Sequence, residues 1–259
     1  MGVSWMSNSE ERQQEIHRLV NRFGRISVDE LSQQMDIPRE IINSDLQSLA
    51  ERRQIVLTFN GGASLTVGLN DLSLALRAQK QSEVKEQIAG FCAGIIQDGE
   101  TIFLDSSSTA LAIALYLKSR WCLTLISNCL GLVQHLPHKP DWQILMPGGA
   151  YQWETDSLIG LKSSELLQAL QIDKGFFGAY GIDLTAGLTD ISEEQAKFKE
   201  LLVDQCHQVI VAVDSTKWNQ VGRYRFARLN QTSLIVTDSL APSEAVDQVR
   251  VQGIQVTVV

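Results

Sequence analysis

Little in this chain marks a membrane protein, an exported protein or a metal centre. No run of about 18 uncharged apolar residues occurs in its 259 residues, and the opening MGVSWMSNSE has neither the basic start nor the apolar stretch of an export signal. Cysteine is scarce. Cys92, Cys122, Cys129 and Cys206 are scattered, with no CxxC pair and no adjacent histidine, which argues against a zinc site and against a disulfide framework. Basic residues are outnumbered, 22 Lys and Arg against 30 Asp and Glu, and the net charge of -8 disfavours a general basic coat for nucleic acid while leaving room for one local positive face. Disorder is excluded by what remains, since 44% of residues are hydrophobic and 20% charged, enough to build a sizeable core. The expectation is a cytoplasmic protein with no membrane partner, no metal and no cofactor.

The chain divides by pattern. Ser7 with Glu10 forms a capping box ahead of Ile16, Leu19, Val20 and Phe23 at helical spacing, and Gly24 ends that helix. Ser27 with Glu30 forms a second box before Val28, Leu31 and Met35. A third helix is expected from Pro38 to about Glu51, burying Ile42, Leu46 and Leu49 and leaving Arg39, Glu40, Asn43, Ser44, Gln47 and Ser48 outside. Then comes IVLTFNGGASLTV, two β-prone runs joined around Asn60-Gly61-Gly62, a hairpin signal. Three helices and a hairpin suggest a winged helix-turn-helix, which puts its last helix into the DNA major groove; spacing alone leaves a plain helical bundle equally open. Residues 1–63 hold seven Lys and Arg against nine Asp and Glu, so phosphate attraction has to come from local positions such as Arg25, Arg39, Arg52 and Arg53.

Residues 67–97 read as a linking helix, and beyond residue 98 apolar runs alternate with helical stretches. TIFLD, LTLIS, WQILMP, KGFFGAYGI, QVIVAVD, SLIVTD and QVTVV are the expected strands, with TALAIALYLKSR and SSELLQALQ among the expected helices. Such alternation implies a largely parallel sheet covered on both faces, with ligands beyond the carboxyl ends of its strands. At those ends stand Asp105 with Ser106, Ser107, Ser108 and Thr109, then Ser127-Asn128, Gly148-Gly149, and Lys217 three residues past Asp214. Hydroxyls at a helix start, bare glycines and a lysine suit an anionic small molecule, a phosphorylated sugar above all. Each has an ordinary explanation as well: a serine cap, a backbone contact at the glycines, a solvated lysine. Asp105, Asp183, Asp190 and Asp214 leave catalysis open, whereas His135 and His138 flank a proline turn and His207 reads as late in a helix.

These segments together resemble the DeoR-type bacterial transcriptional repressors. The resemblance is carried by ERQQEIHRLVNRFGRISVDELSQQMDIP, SDLQSLAER and NGGA at the front, and by TIFLDSSSTA, LISN, MPGGAY, DKGFFGAYGIDLTAGLTD and VDSTK behind, nearly the full chain. It implies an N-terminal winged helix-turn-helix over residues 1–66 and an α/β sensor similar to ribose-5-phosphate isomerase and the coenzyme A transferases over 98–259. It further implies a repressor of a carbohydrate-utilisation operon; operator DNA is expected to meet the outward face of the third helix at Arg39, Asn43, Ser44 and Gln47, with Arg52, Arg53 and Asn60 beside it, and a homo-oligomer is expected because a single winged unit with few cations would bind weakly. Its effector, a phosphorylated sugar, would sit among Asp105 to Thr109, Ser127, Asn128, Gly148, Gly149 and Lys217. The chain departs from the pattern in three places: Asn43 and Ser44 stand where arginines are common, Asn60 where a histidine is, and Ser107-Ser108-Thr109 where a glycine-threonine pair is. The alternatives are a sugar-phosphate enzyme such as an isomerase and a sensor paralogue that has lost DNA binding.

Overall fold

The computed structural model describes residues 9–23, 25–52, 55–58, 62–65, 74–153, 155–160 and 170–259. Two compact units emerge, residues 1–77 and 78–259.

The first unit contains α1 (Ser9–Phe23), β1 (Arg25–Ser27), α2 (Val28–Met35), α3 (Arg39–Glu51), β2 (Ile55–Thr58) and β3 (Gly62–Leu65). Ser27 caps α2 through the expected box: its hydroxyl accepts from the Glu30 N–H, and the Glu30 carboxylate accepts from the Ser27 N–H. Asp36, in the left-handed region at φ 53°, ends α2 and frees the chain to turn into α3. Ile16, Leu19, Leu31, Ile42, Leu46 and Leu49 close an apolar core against Ile55 and Ala63. The hairpin β2–β3 takes β1 as a third antiparallel strand, in the order β1-β3-β2, a strand that three residues of mixed character did not announce. The capping residue Ser7, Gly24 and the hairpin tip with Asn60 lie outside the described residues.

Where one linking helix was expected, the chain forms α4 (Leu74–Gln79) and α5 (Ser82–Gly94), broken at Gln81 with φ 54°. Helix α5 is no linker. Its Ile88, Ala89 and Cys92 are fully buried, and it packs against α6 (Ser108–Leu115) as a covering layer of the second unit.

That unit is built on a seven-stranded sheet, and all seven expected strands contribute to it. They are β4 (Thr101–Leu104), β5 (Thr124–Ile126), β6 (Gln143–Leu145), β9 (Ile172–Phe177), β12 (Cys206–Ala212), β14 (Leu234–Thr237) and β15 (Gln255–Val258). The order is β15-β14-β12-β9-β4-β5-β6, and every pairing is parallel. From β4 the chain steps to β5 and β6 on one side; from β9 it steps to β12, β14 and β15 on the other. The topological switch point therefore falls between β4 and β9, the place where such sheets open a crevice at their carboxyl ends.

The intervening pieces were not foreseen. β7 (Ala150–Gln152) and β8 (Ser157–Ile159) form a separate hairpin, while β10 (Gly181–Asp183), β11 (Gly187–Asp190) and β13 (Tyr224–Ala227) form a small antiparallel sheet. KGFFGAYGI is thus not one strand: the chain leaves the main sheet at Gly178 and enters the small one at Gly181. His207 lies exposed on β12 and not in a helix. The second unit also carries helices α7 (Leu130–Gln134), α8 (Glu193–Val203) and α9 (Ser243–Val251). The expected helix SSELLQALQ falls largely outside the described residues.

Candidate functional site

Two separate surfaces gather the residues singled out by sequence. The first is the outer face of α3. Asp45, on its inner face, is buried and takes a two-pronged contact from the Arg12 guanidinium, Nη2 to Oδ1 at 3.0 Å, and a third bond from Gln13 Nε2 at 3.1 Å. Hydrogen bonding to Asp45, which outweighs burial, raises the Arg12 pKa above its ordinary value. The pair fixes α3 on α1 and sets which side chains face outward. Arg39, Asn43, Ser44 and Gln47 are exposed along the helix, as expected, and Arg52 is exposed at its C-terminal end. Arg39 is not a free cation, however, because it is ion-paired with Asp29 of α2. Arg53 and Asn60 lie outside the described residues.

The second surface is the carboxyl edge of the parallel sheet. Asp105, 1% exposed, leaves β4 at the switch point; its Oδ1 accepts from the Ser107 N–H at 3.0 Å and its Oδ2 from the Gly178 N–H at 2.8 Å. The same Oδ2 lies 3.0 Å from Lys199 Nζ. That ammonium, on α8, also reaches Asp190 Oδ2 at 2.9 Å and the Gly178 carbonyl at 2.9 Å, with the Phe226 ring centroid 5.1 Å away. Burial works against its charge, but Asp190 and Asp105 together outweigh burial and hold the Lys199 pKa above its ordinary value. Burial likewise opposes the Asp190 carboxylate, and Lys199 with two backbone donors overcomes it, so the Asp190 pKa is lowered. Asp105 therefore orders the serine loop and clamps β4 to β9. Both it and Asp190 are engaged by Lys199.

Around this clamp the hydroxyl loop divides its roles. Ser107 is the N-cap of α6, its Oγ accepting from the Ala110 N–H at 3.1 Å. Ser108 and Thr109 are buried in the first turn, where backbone N–H groups have no intrahelical acceptor. Ser106 Oγ donates to Gln195 Oε1 at 3.2 Å, and Gln195 Nε2 lies 2.9 Å from both Thr155 Oγ1 and Ser157 Oγ. Gln195 on α8 thereby ties the end of β4 to the β7–β8 hairpin. Ser127 Oγ accepts from the Cys129 N–H, and the Asn128 carbonyl accepts from the Leu158 N–H at 2.8 Å. Continuing the β4–β5 register sets Asn128 opposite Asp105. The Asn128 side chain is fully buried, and neither its amide nitrogen nor its amide oxygen has a hydrogen-bond partner among the described residues.

The glycine pair belongs to the hairpin. Gly149, at φ 123°, lies so close to β8 that a Cβ there would be 2.3 Å from the Ile159 carbonyl carbon, which makes it a backbone contact and not a bare wall for a ligand. Gly148, at φ 77°, borders open space. Lys217 ends a short 3₁₀ turn after β12 with its ammonium 5.9 Å from the Tyr180 ring centroid, in the loop between β9 and β10. The structure thus joins the β4, β5 and hairpin loops through Gln195 and the Asn128 backbone, and brings Lys217 to the β9 loop on the other side of the switch point. The sequence reading named Asp190 as a candidate base but missed Lys199 and Gln195. Their helix, EEQAKFKELLV, shows one more lysine in a charged amphipathic stretch, and only the fold reveals that it points inward.

A DeoR-like helix-turn-helix domain model matches residues 12–67, and a DeoR C-terminal sensor domain model matches residues 80–239. The chain belongs to the DeoR family. It is a helix-turn-helix transcriptional regulator with an α/β sensor domain. Among DeoR-family relatives, the HTH-type transcriptional repressor GlcR of Bacillus subtilis is 30% identical over 96% of both chains. The glycerol-3-phosphate regulon repressor of Escherichia coli is 27% identical over 90% of this chain and 92% of that one. A ribose 5-phosphate isomerase A structure from Methanocaldococcus jannaschii aligns over 54% of this chain and 55% of that one, at 15% identity and a TM-score of 0.38.

Proposed function

We propose that this regulator represses a carbohydrate-utilisation operon and is released from its operator by a phosphorylated sugar held at the carboxyl edge of the sensor sheet. The observation that carries the effector site is Asn128. A buried polar group without a partner costs on the order of 1 to 3 kcal/mol, and a side-chain amide offers two donors and an acceptor, the complement of sugar hydroxyls. The first turn of α6 beside it suits the phosphate, and Lys217 supplies a point charge. A regulon named for a phosphorylated polyol among the relatives agrees with this chemistry.

Binding without turnover fits the same residues. The buried carboxylates Asp105 and Asp190 are both engaged by Lys199, which suits a clamp. Operator contact is assigned to Asn43, Ser44 and Gln47 with Arg39, Arg52 and Arg53 at the backbone, and assembly to at least a dimer, since two linked winged units raise affinity through effective concentration. Calorimetry of wild type and of Asn128→Ala against a panel of sugar phosphates tests the site. Binding by wild type that weakens by tenfold or more in the variant is expected, and equal affinity in both for every ligand would sink the assignment. Assays for consumption of the same compounds should show none.

A further inference from the structure

If the outer face of α3 meets DNA as proposed, its side chains also restrict which bases it can read. Sequence-specific helices most often read guanine with arginine or lysine, whose donors match the O6 and N7 acceptors of that base. Helix α3 holds one such side chain, Arg39, and it is turned to Asp29 of α2. Glu40, exposed in the first turn, has acceptors only and cannot satisfy guanine. Arg39, Asn43 and Gln47 follow one another at intervals of four residues and so share a row, and behind that row the Arg12–Asp45 pair fixes the helix from within.

We infer that Asn43 and Gln47 make this an adenine-reading recognition helix, with an operator half-site defined by A·T pairs where an arginine-bearing helix would select guanine. The carboxamide of asparagine or glutamine accepts from adenine N6 and donates to adenine N7 in one two-pronged contact. Four residues span about 6 Å along a helix axis, so the two side chains reach bases about two pairs apart at 3.4 Å per base. Ser44 bonds to either purine and adds little discrimination.

The test is selection from a random duplex library with the full-length protein, repeated with Asn43→Ala and Asn43→Arg. Wild type is expected to enrich sites with two adenines about two pairs apart in each half, one of them set by Asn43. Asn43→Ala should lose the latter preference, about tenfold or more, while still binding; Asn43→Arg should move it to guanine at the same position. Because Asn43 is exposed, both variants should keep the wild-type circular dichroism. A wild-type preference for guanine at the position sensitive to Asn43, or an unchanged preference in both variants, overturns adenine reading while leaving DNA binding intact. No enrichment by wild type overturns the DNA-binding assignment and this inference with it.

Discussion

At the scale of single residues, Lys199 is the group whose loss the second unit should tolerate least. Its ammonium lies between two buried carboxylates, and removing one partner of a buried ion network leaves charge uncompensated in a medium of low polarity, a loss of about 3 to 5 kcal/mol. Lys199→Met should therefore lower the urea midpoint sharply, and pairing it with Asp190→Asn should restore part of the difference. A fully additive double variant would show that the two do not interact. The pH dependence has a definite sign. Because the folded Asp190 pKa is lowered, its stabilisation is present above the ordinary carboxylate range and is lost as pH falls through the folded value. Lys199, with a raised pKa, stabilises at all pH below the ordinary lysine value and loses that contribution only on strong alkalinisation. Denaturation curves from about pH 3 to about pH 9 should thus show an acid loss that is smaller in the double variant.

Among the elements, the β7–β8 hairpin is the piece most open to change. It forms its own two-stranded sheet and is held to the rest by the Asn128 and Asp156 backbone carbonyls and by Gln195. Gln195→Ala should raise amide hydrogen exchange over residues 150–159 while leaving β4 and β9 protected; uniform protection would contradict the linking role. Gly149→Ala should act on the same element through strain, since a side chain there meets the Ile159 backbone, and about 1 to 3 kcal/mol is expected in thermal denaturation. The legibility of each element follows from its physics. Strands buried on both faces of a parallel sheet, such as TIFLD and QVIVAVD, are nearly continuous apolar runs and stand out. AYQ and SLI are three-residue strands whose partners are fixed by a turn and by tertiary hydrogen bonds, so no local period announces them. Asp105, Ser127 and Asn128 were readable because strand ends are readable. Arg12 and Lys199 were not, because a charged residue on an amphipathic helix looks solvated until its buried partner, Asp45 or Asp105, is placed in space.

In the whole molecule, a chain of net charge -8 is proposed to meet DNA through few cations and to be released by its sensor. So few phosphate contacts imply a shallow dependence of DNA affinity on salt, and Arg52→Ala should weaken binding to all sequences and flatten it further. Release requires that the effector favour the DNA-incompetent state, and a tenfold drop in DNA affinity needs a differential of about 1.4 kcal/mol between the two states. Lys217→Ala, at the β9 side of the switch point, should keep fold and DNA affinity but shift release to higher ligand concentration, because a charge-assisted contact contributes roughly 1.5 to 3 kcal/mol. Fluorescence anisotropy of the gene's own upstream DNA, with wild type and Lys217→Ala titrated by a panel of sugar phosphates, tests effector-driven release most directly. At least one sugar phosphate is expected to displace wild type from the DNA and to do so at least tenfold less effectively for the variant; DNA binding that no sugar phosphate alters, or identical release in both proteins, would contradict it.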